Sequence, residues 1–261
     1  MRISAIRGIV GFVLAGWWLV GSRVLAAEMP VEPTSPTVIA TSPTAVSTLP
    51  TSPGLAGNLA AEKWLRTLEQ RHRDHRRASG DFTQTKKDPV FLEERRSTGK
   101  FYYERPNRFR CDYDQDKPDE ACTTLVDGDL VSVYFPKQKE MDRYRLSREG
   151  SGIGEVNQML LAFGVETDKV LKHFTVVSDP ATTANVVRLT FVPKAPREER
   201  PFEQFILELS KPDLTPKRFD IIGGEDDHTV VTITTITWNP SLPPDIFRLN
   251  VPKDVEIIEE R

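Results

Sequence analysis

The chain has few of the residues, and none of the short motifs, on which the commonest enzymatic sites are built. Its 261 residues include only two cysteines and four histidines. No CxxC, HExxH, GxSxG or P-loop pattern occurs in it. These absences argue against zinc enzymes, serine hydrolases and nucleotide-hydrolysing enzymes, because those classes commonly position their chemistry with one of these motifs. We therefore expect no catalytic site.

An excess of positive charge is also missing. The chain has 35 lysines and arginines against 38 aspartates and glutamates, so its formal net charge is −3. This balance gives no overall attraction to nucleic acid or to an anionic membrane. The basic cluster at 71–77 contains His72 and His75, but its arginines repel a metal cation and favour a solvated helix end. No metal, cofactor or nucleic-acid partner is expected.

Only the N-terminus has a long apolar run. Arg2 and Arg7 precede an apolar stretch at 8–20, and small residues follow at Ala26 and Ala27. The stretch is shorter than the ~20 residues that span a bilayer, so we predict a signal peptide at 1–27, cleaved near Ala26 or Ala27. Cleavage removes three arginines and no acidic residue, which changes the formal net charge from −3 to −6. An uncleaved anchor is the alternative.

The segment after the signal has almost no charge and no hydrophobic periodicity. Residues 28–57 are mainly Pro, Ser, Thr, Ala and Val. Such a composition cannot bury enough apolar surface to fold, and its prolines favour an extended spacer. We predict a disordered linker at 28–57, followed by one domain at 58–261.

The domain is predicted to begin with a helix. Asn58 is a suitable N-cap, and Ala61, Trp64, Leu65 and Leu68 recur at helical spacing to form one apolar stripe. A second helix is predicted at 153–163, after a glycine-rich entry. Its apolar face consists of Ile153, Val156, Met159, Leu160 and Phe163. This face is either ordinary core or the underside of a lid over an apolar pocket.

Most of the remaining chain has the texture of short strands separated by turns. The predicted strands are 82–85, 91–103, 109–113, 121–126, 130–135, 174–177, 186–192, 202–209, 216–222, 229–238, 247–251 and 255–258. Apart from the helix at 153–163, no helix-length crossover separates them, which favours antiparallel pairing. The predicted fold class is mainly β (α+β). We expect a strongly curved sheet, or unclosed antiparallel β-barrel, with short helices as a lid over an apolar cavity.

The two cysteines lie on either side of a predicted turn. Cys111 and Cys122 flank the polar segment 114–119, and both flanks are predicted strands. In an exported protein such a pair favours a cross-hairpin disulfide. Closing so short a loop would stabilise the fold by about 3 kcal/mol.

Several motifs, in order along the chain, resemble the outer-membrane lipoprotein carrier family (LolA-type). The motifs are Phe82-Thr83-Gln84, Gly99-Lys100-Phe101, Arg105-Pro106-Asn107-Arg108-Phe109, Asp127-Gly128, Tyr134-Phe135-Pro136 and the closing segment 247–255. The chain departs from the family pattern at Asp254, where a glycine is usual, at Cys111, where a large aromatic residue is common, and in an insertion at 116–120.

The resemblance implies an unclosed barrel that holds acyl chains. The implied lipid-binding cavity is lined by Phe101, Phe109, Phe135, Met159, Leu160 and Phe163. By position, Arg105 matches an arginine that hydrogen-bonds the lid backbone and holds the empty pocket closed.

The function implied is that of a monomeric periplasmic carrier without enzymatic activity. It would bind the acyl chains of lipoproteins and shuttle them toward the outer membrane. Its partners would be acylated lipoproteins, an inner-membrane lipoprotein-releasing transporter and an outer-membrane acceptor. A lipid- or lipoprotein-sensing regulatory module of the cell envelope is the second hypothesis, and a hydrolase is the third.

Overall fold

The computed structural model describes residues 55–87, 94–145, 163, 166–179, 181–197, 200, 202–223 and 227–259, with backbone only at 55 and 56. Its helices are α1 (Leu55–Arg71) and α2 (Thr167–His173). Its strands are β1 (Arg77–Lys87), β2 (Glu94–Glu104), β3 (Arg108–Tyr113), β4 (Cys122–Asp127), β5 (Leu130–Phe135), β6 (Glu140–Arg145), β7 (Phe174–Ser178), β8 (Val186–Pro193), β9 (Gln204–Ser210), β10 (Thr215–Ile222), β11 (His228–Trp238) and β12 (Glu256–Glu259). In the described part of the chain, neither helix is long and apolar enough to span a membrane.

The strands of the described residues form one sheet of 12 strands, in the order β12-β6-β5-β4-β3-β2-β1-β11-β10-β9-β8-β7. Every neighbouring pair is antiparallel except β12 and β6. Pairing of β1 with β11 joins the two halves of the chain. Among the described strands, the two outermost, β12 and β7, do not pair with each other. The predicted fold class, an unclosed and mainly antiparallel sheet with short helices, is therefore confirmed.

Helix α1 lies against one end of this sheet. Its apolar stripe is formed by Ala61, Leu65 and Leu68, which are fully buried, and the helix packs against β7 and α2. It begins at Leu55, so the predicted linker extends too far at residues 55–57. The backbone of Gly57 lies so close to Val177 of β7 that a Cβ there would meet the Val177 Cγ1 atom at 3.2 Å. This contact between distant segments is not visible in the local sequence.

Three further segments differ from the predictions. The sequence gives no strand signal for β6, whose composition is largely charged, and no signal for the short helix α2. The predicted strand at 247–251 is wrong. That segment crosses the outer face of the sheet, where Leu249 and Val251 line a small cavity with Leu125 and Met141. The Arg110 Nη1 atom donates a hydrogen bond to the Ile246 carbonyl at 2.8 Å. A side chain thus satisfies a backbone carbonyl that would bond to a neighbouring strand if this segment belonged to the sheet.

Glycines make room for aromatic rings where β1 pairs with β2. Gly80 lies opposite Phe101, and Gly99 lies opposite Phe82. A Cβ at Gly99 would lie 2.5 Å from the Phe82 Cζ atom and 2.6 Å from the Asp112 carbonyl oxygen. Each ring therefore lies over the backbone of the neighbouring strand, a known way of compensating for glycine in a sheet.

The end of α1 is attached to the sheet through buried rings. His72 is only 1% exposed, which makes the predicted solvated helix end wrong at this residue. Its ring lies 4.7 Å from the ring of Trp238, and the ring of His75 stacks on Trp238 at 4.3 Å. The pKa of His72 is lowered to about 4, mainly because burial disfavours the charged ring. The charges of His75 and Arg105 act in the same direction, and Asp213 opposes them.

We predict that Gly99→Ala lowers the free energy of unfolding by about 1–3 kcal/mol, because the added methyl group overpacks the Phe82 ring. Urea denaturation measures the change. The matched control is Thr98→Ala, which changes the adjacent exposed residue. We expect it to alter the free energy of unfolding by less than about 0.5 kcal/mol. Equal losses in the two variants would contradict this explanation.

The buried His72 predicts a loss of stability in acid. The unfolded chain takes up a proton on this ring near pH 6.5, whereas the folded protein does so only near pH 4. Stability is therefore lost as the pH falls through this window, by about 3 kcal/mol. His72→Phe keeps an aromatic ring beside Trp238 and removes the titration. Its unfolding free energy should depend less on pH between 4 and 6.5, and identical slopes for variant and parent would refute the assignment.

Candidate functional site

The inner face of β2 and β3 is a continuous aromatic surface, which we call the hollow. It is formed by Phe101 and Tyr103 of β2 and Phe109 of β3, and all three side chains are buried. Strand pairing places Tyr103 directly opposite Phe109. Two members of the hollow, Phe101 and Phe109, are predicted cavity residues. Tyr103 was not predicted, although its spacing of two from Phe101 places it on the same face.

Phe163 fills this hollow. The residue is helical and fully buried. Its ring centroid lies 5.2 Å from that of Phe101, 5.5 Å from Tyr103 and 6.4 Å from Phe109. Trp238 closes the cluster at 6.0 Å, edge-on to the Phe163 ring. The structure thus brings three predicted cavity residues together, with one phenylalanine inserted among the rings of the sheet.

The other three predicted cavity residues have different outcomes. Met159 and Leu160, like most of the predicted helix 153–163, lie outside the described residues. Phe135 is half-buried near the edge of the sheet and packs against the core. It shares the inner face with Val133, but among the described residues no ring contact joins it to the Phe163 cluster. Its opposite partner on β6 is Glu140.

A second aromatic row lines the inner face in the C-terminal half of the sheet. Phe205 lies 5.2 Å from Phe191 and 6.0 Å from Phe219, measured between ring centroids. All three are buried and lie on the neighbouring strands β8, β9 and β10. The apolar side chains that recur along these strands could have identified the three phenylalanines as inner-face residues. All the predicted cavity residues lie within 101–163 instead.

Arg105 lies at the end of β2, two residues after Tyr103. Its Nη2 atom donates a hydrogen bond to the His72 carbonyl at 2.9 Å, and its backbone N–H donates to the Arg76 carbonyl at 2.9 Å. In the described residues this side chain therefore holds the end of α1. Burial raises the pKa of the neighbouring Tyr103 hydroxyl to about 12, although the charge of Arg105 acts in the opposite direction.

The structure does not contain the predicted disulfide. Cys111 and Cys122 are both free and buried, and burial raises the pKa of each thiol. The strand register explains this result, because Cys111 pairs with Thr124 while Cys122 pairs with Tyr113. Diagonal positions in an antiparallel pair are typically about 7–8 Å apart, which is beyond the Cα separation of an ordinary disulfide.

Over the ranges that the structure describes, no group of three or more His, Cys, Asp or Glu side chains is placed to hold a metal ion. The arrangement offers apolar surface, aromatic rings and an adjacent arginine. Chemically, such a site suits the binding of an apolar chain.

Comparison with known proteins gives relatives over most of the domain. The outer-membrane lipoprotein carrier protein of Nitrosomonas europaea is 29% identical over 182 residues, which cover 69% of this chain and 81% of the relative. The protein of the same name from Methylococcus capsulatus is 23% identical over 186 residues, or 71% of this chain and 83% of the relative.

Among solved structures, a putative outer membrane lipoprotein-sorting protein domain from Vibrio parahaemolyticus is 12% identical, with a TM-score of 0.45 over 73% of this chain and 97% of that chain. A LolA superfamily protein from Nitrosomonas europaea is 10% identical, with a TM-score of 0.38 over 70% of this chain and 96% of that chain. The family model described as outer membrane lipoprotein carrier protein LolA matches residues 73–250. The chain therefore belongs to the LolA family of outer membrane lipoprotein carrier proteins.

Proposed function

We propose that this protein is a periplasmic carrier that binds the acyl chains of lipoproteins in the hollow and shuttles them toward the outer membrane. The observation that carries the proposal is the insertion of Phe163 among Phe101, Tyr103 and Phe109. A ring held there occupies apolar space that an acyl chain could occupy instead. Family membership and the names of the relatives support lipoproteins as the cargo.

The energetics suit a carrier. Burial of an acyl chain contributes about 0.8 kcal/mol per methylene, so a long chain could bind too tightly to be handed on. Withdrawal of the Phe163 ring opposes binding, because the ring loses its contacts with the aromatic cluster as the chain enters. The net affinity is then a difference between two apolar burials, which permits release to an acceptor.

The proposed route of the carrier begins with export and ends with release of the cargo. A cleaved signal at 1–27 would export the chain, and the predicted linker after it would act as a tether or spacer. An inner-membrane transporter would load the carrier, and an outer-membrane acceptor would unload it. We propose no enzymatic step, since binding and release alone account for the role.

Mass spectrometry of the ligand bound to natively purified protein tests the proposed cargo. We expect diacylated or triacylated protein to be recovered with the parent. Stoichiometric phospholipid without acylated protein would refute a lipoprotein carrier and favour the sensing or lipid-binding alternative.

Phe163→Ala tests the role of the inserted ring. The variant should bind a synthetic triacylated cysteine lipopeptide about tenfold more tightly than the parent, because the chain no longer has to displace a ring and the competent state is more populated. Calorimetric titration measures this affinity, with the unacylated peptide as a blank.

The matched control for that variant is Met141→Ala. Met141 is 2% exposed but lies on the outer face, beneath the C-terminal segment. Its truncation should destabilise the fold by about 2–5 kcal/mol without a gain in affinity. If Phe163→Ala loses stability and binding together, the ring is ordinary core and the proposed site is wrong.

We also propose that Arg105 acts as a latch, through its hydrogen bond to the end of α1. Arg105→Leu should lower the free energy of unfolding by about 1.5–3 kcal/mol, the range for hydrogen bonds to charged groups, and should speed lipopeptide uptake in stopped-flow measurements. Arg105→Lys should restore stability only in part, because lysine lacks the planar fork. Arg108→Leu, which removes exposed ion pairs with Glu104 and Asp127, serves as the control. A loss of stability with unchanged uptake would make Arg105 a structural clamp.

A further inference from the structure

A cleft rich in arginine opens beside the hollow. It has a volume of ≈ 660 Å³ and lies between the end of α1, the start of β1 and the turn after β2. Its lining residues are Arg73, Arg76, Arg77, Glu104, Arg105, Pro106 and Asn239. We call it the arginine cleft.

The walls of the arginine cleft are tied together by Asn239. The Asn239 Oδ1 atom accepts hydrogen bonds from the backbone N–H groups of Arg76 at 2.8 Å and Arg77 at 3.2 Å. Its backbone N–H donates to the Arg77 carbonyl at 2.8 Å. Its Nδ2 atom donates to the Asp74 carbonyl at 3.2 Å. Together with the bonds of Arg105, these contacts fix the backbone from which the arginines project.

Charge in the cleft is unbalanced. Its one carboxylate, Glu104, is already shared by Arg77 at 2.7 Å and Arg108 at 3.4 Å. The side chains of Arg73, Arg76 and Arg105 make no ion pair with any other residue that the structure describes. Burial is the main cause of the lowered pKa of both His72 and His75, and the positive charge of Arg105 adds to it at each ring. Positive charges that line one cleft repel one another, and a bound anion would relieve the repulsion.

The residues of the cleft are close neighbours in sequence of residues that form the apolar hollow. Arg105, the residue after the end of β2, follows Tyr103 by two residues. Asn239 directly follows Trp238, whose ring centroid lies 6.0 Å from that of Phe163. A ligand with an apolar chain in the hollow would therefore have its polar end at the arginines. Guanidinium groups match the oxygens of a phosphate in geometry as well as in charge.

We infer that the arginine cleft binds a phosphate group, as the head of an amphiphile whose chain enters the hollow or as a soluble phosphate. This site is additional to the proposed carriage of acylated protein, and its recognition of phosphate does not depend on that cargo. It would allow the protein to distinguish phosphorylated lipids from neutral ones.

Three probes separate the head from the chain in calorimetric titrations of the full protein at pH 7.5 and fixed salt. Octyl phosphate carries both parts, octyl glucoside carries the chain with a neutral head, and glycerol 1-phosphate carries the phosphate alone. The test variant is Arg73→Gln with Arg76→Gln, which changes two exposed arginines. The matched control is Lys217→Gln with Lys253→Gln, which removes the same charge from exposed positions outside the cleft.

The parent should bind octyl phosphate about tenfold more tightly than octyl glucoside, since charge-assisted contacts from arginine exceed neutral ones in strength. The arginine variant should lose most of that advantage, and the lysine control should keep it. Glycerol 1-phosphate binding as tightly as octyl phosphate would identify a soluble phosphate as the ligand, whereas much weaker binding would identify a lipid headgroup.

Two results would overturn the inference. One is equal binding of octyl phosphate and octyl glucoside by the parent, with no binding of glycerol 1-phosphate. The other is an advantage for phosphate that survives in the arginine variant. That second result would exclude a phosphate site in the cleft even if the arginine variant transferred cargo poorly. The arginines would then act on a protein or membrane partner instead of on a phosphate. Failure of the acyl-carrier proposal is distinguishable, since it appears as loss of octyl glucoside and lipopeptide binding.

Discussion

A curved antiparallel sheet that does not close leaves an apolar inner face that some other group must cover. In this protein the requirement is met by α1 at one end and by Phe163 in the aromatic hollow. The hollow is shaped by the strands beneath it, because Gly80 and Gly99 let the rings of Phe101 and Phe82 lie against the backbone. Both the fold and the proposed binding site depend on this one constraint. In the proposed carrier, the element that covers this face would yield when an acyl chain takes its place.

The sheet could be predicted because most of its strands have an alternation of apolar and polar residues that is visible in the local sequence. In β8, buried and half-buried residues alternate along the whole strand, as expected for a sheet with one face in the core. β6 was not predicted because four of its six residues are charged, which leaves no clear alternation of apolar residues. Its strand conformation depends on its pairing with β5. The helix stripe of Ala61, Leu65 and Leu68 was visible for the same reason as β8, and the early start of α1 was not, because it depends on contact with Val177.

The site was less predictable, since its contacts join residues far apart in the chain. The inner-face positions of Phe101 and Phe109 followed from motifs, whereas the bond from Arg105 to the His72 carbonyl requires the path of the chain between them. The cysteine pair shows a similar limit. Composition identified a hairpin, but the register depends on the loop, where Asp114 adopts a left-handed φ of 45° and exchanges hydrogen bonds with Thr98. If β3 and β4 were paired two residues out of their present register, Cys111 and Cys122 would lie opposite each other and a disulfide would be possible.

Trp238 lies at the boundary between the apolar and the cationic parts of the site. Its ring contacts Phe163 of the aromatic cluster and also the two histidines at the end of α1. Movement of Phe163 out of the hollow would remove a contact from Trp238, and Asn239 connects that strand end to the backbone of Arg76 and Arg77. The hollow and the arginine cleft therefore meet at the adjacent residues Trp238 and Asn239. Because Asn239 bonds to the backbone of Arg76 and Arg77, the cleft has a support of its own, and the proposed recognition of phosphate does not require an acyl chain in the hollow.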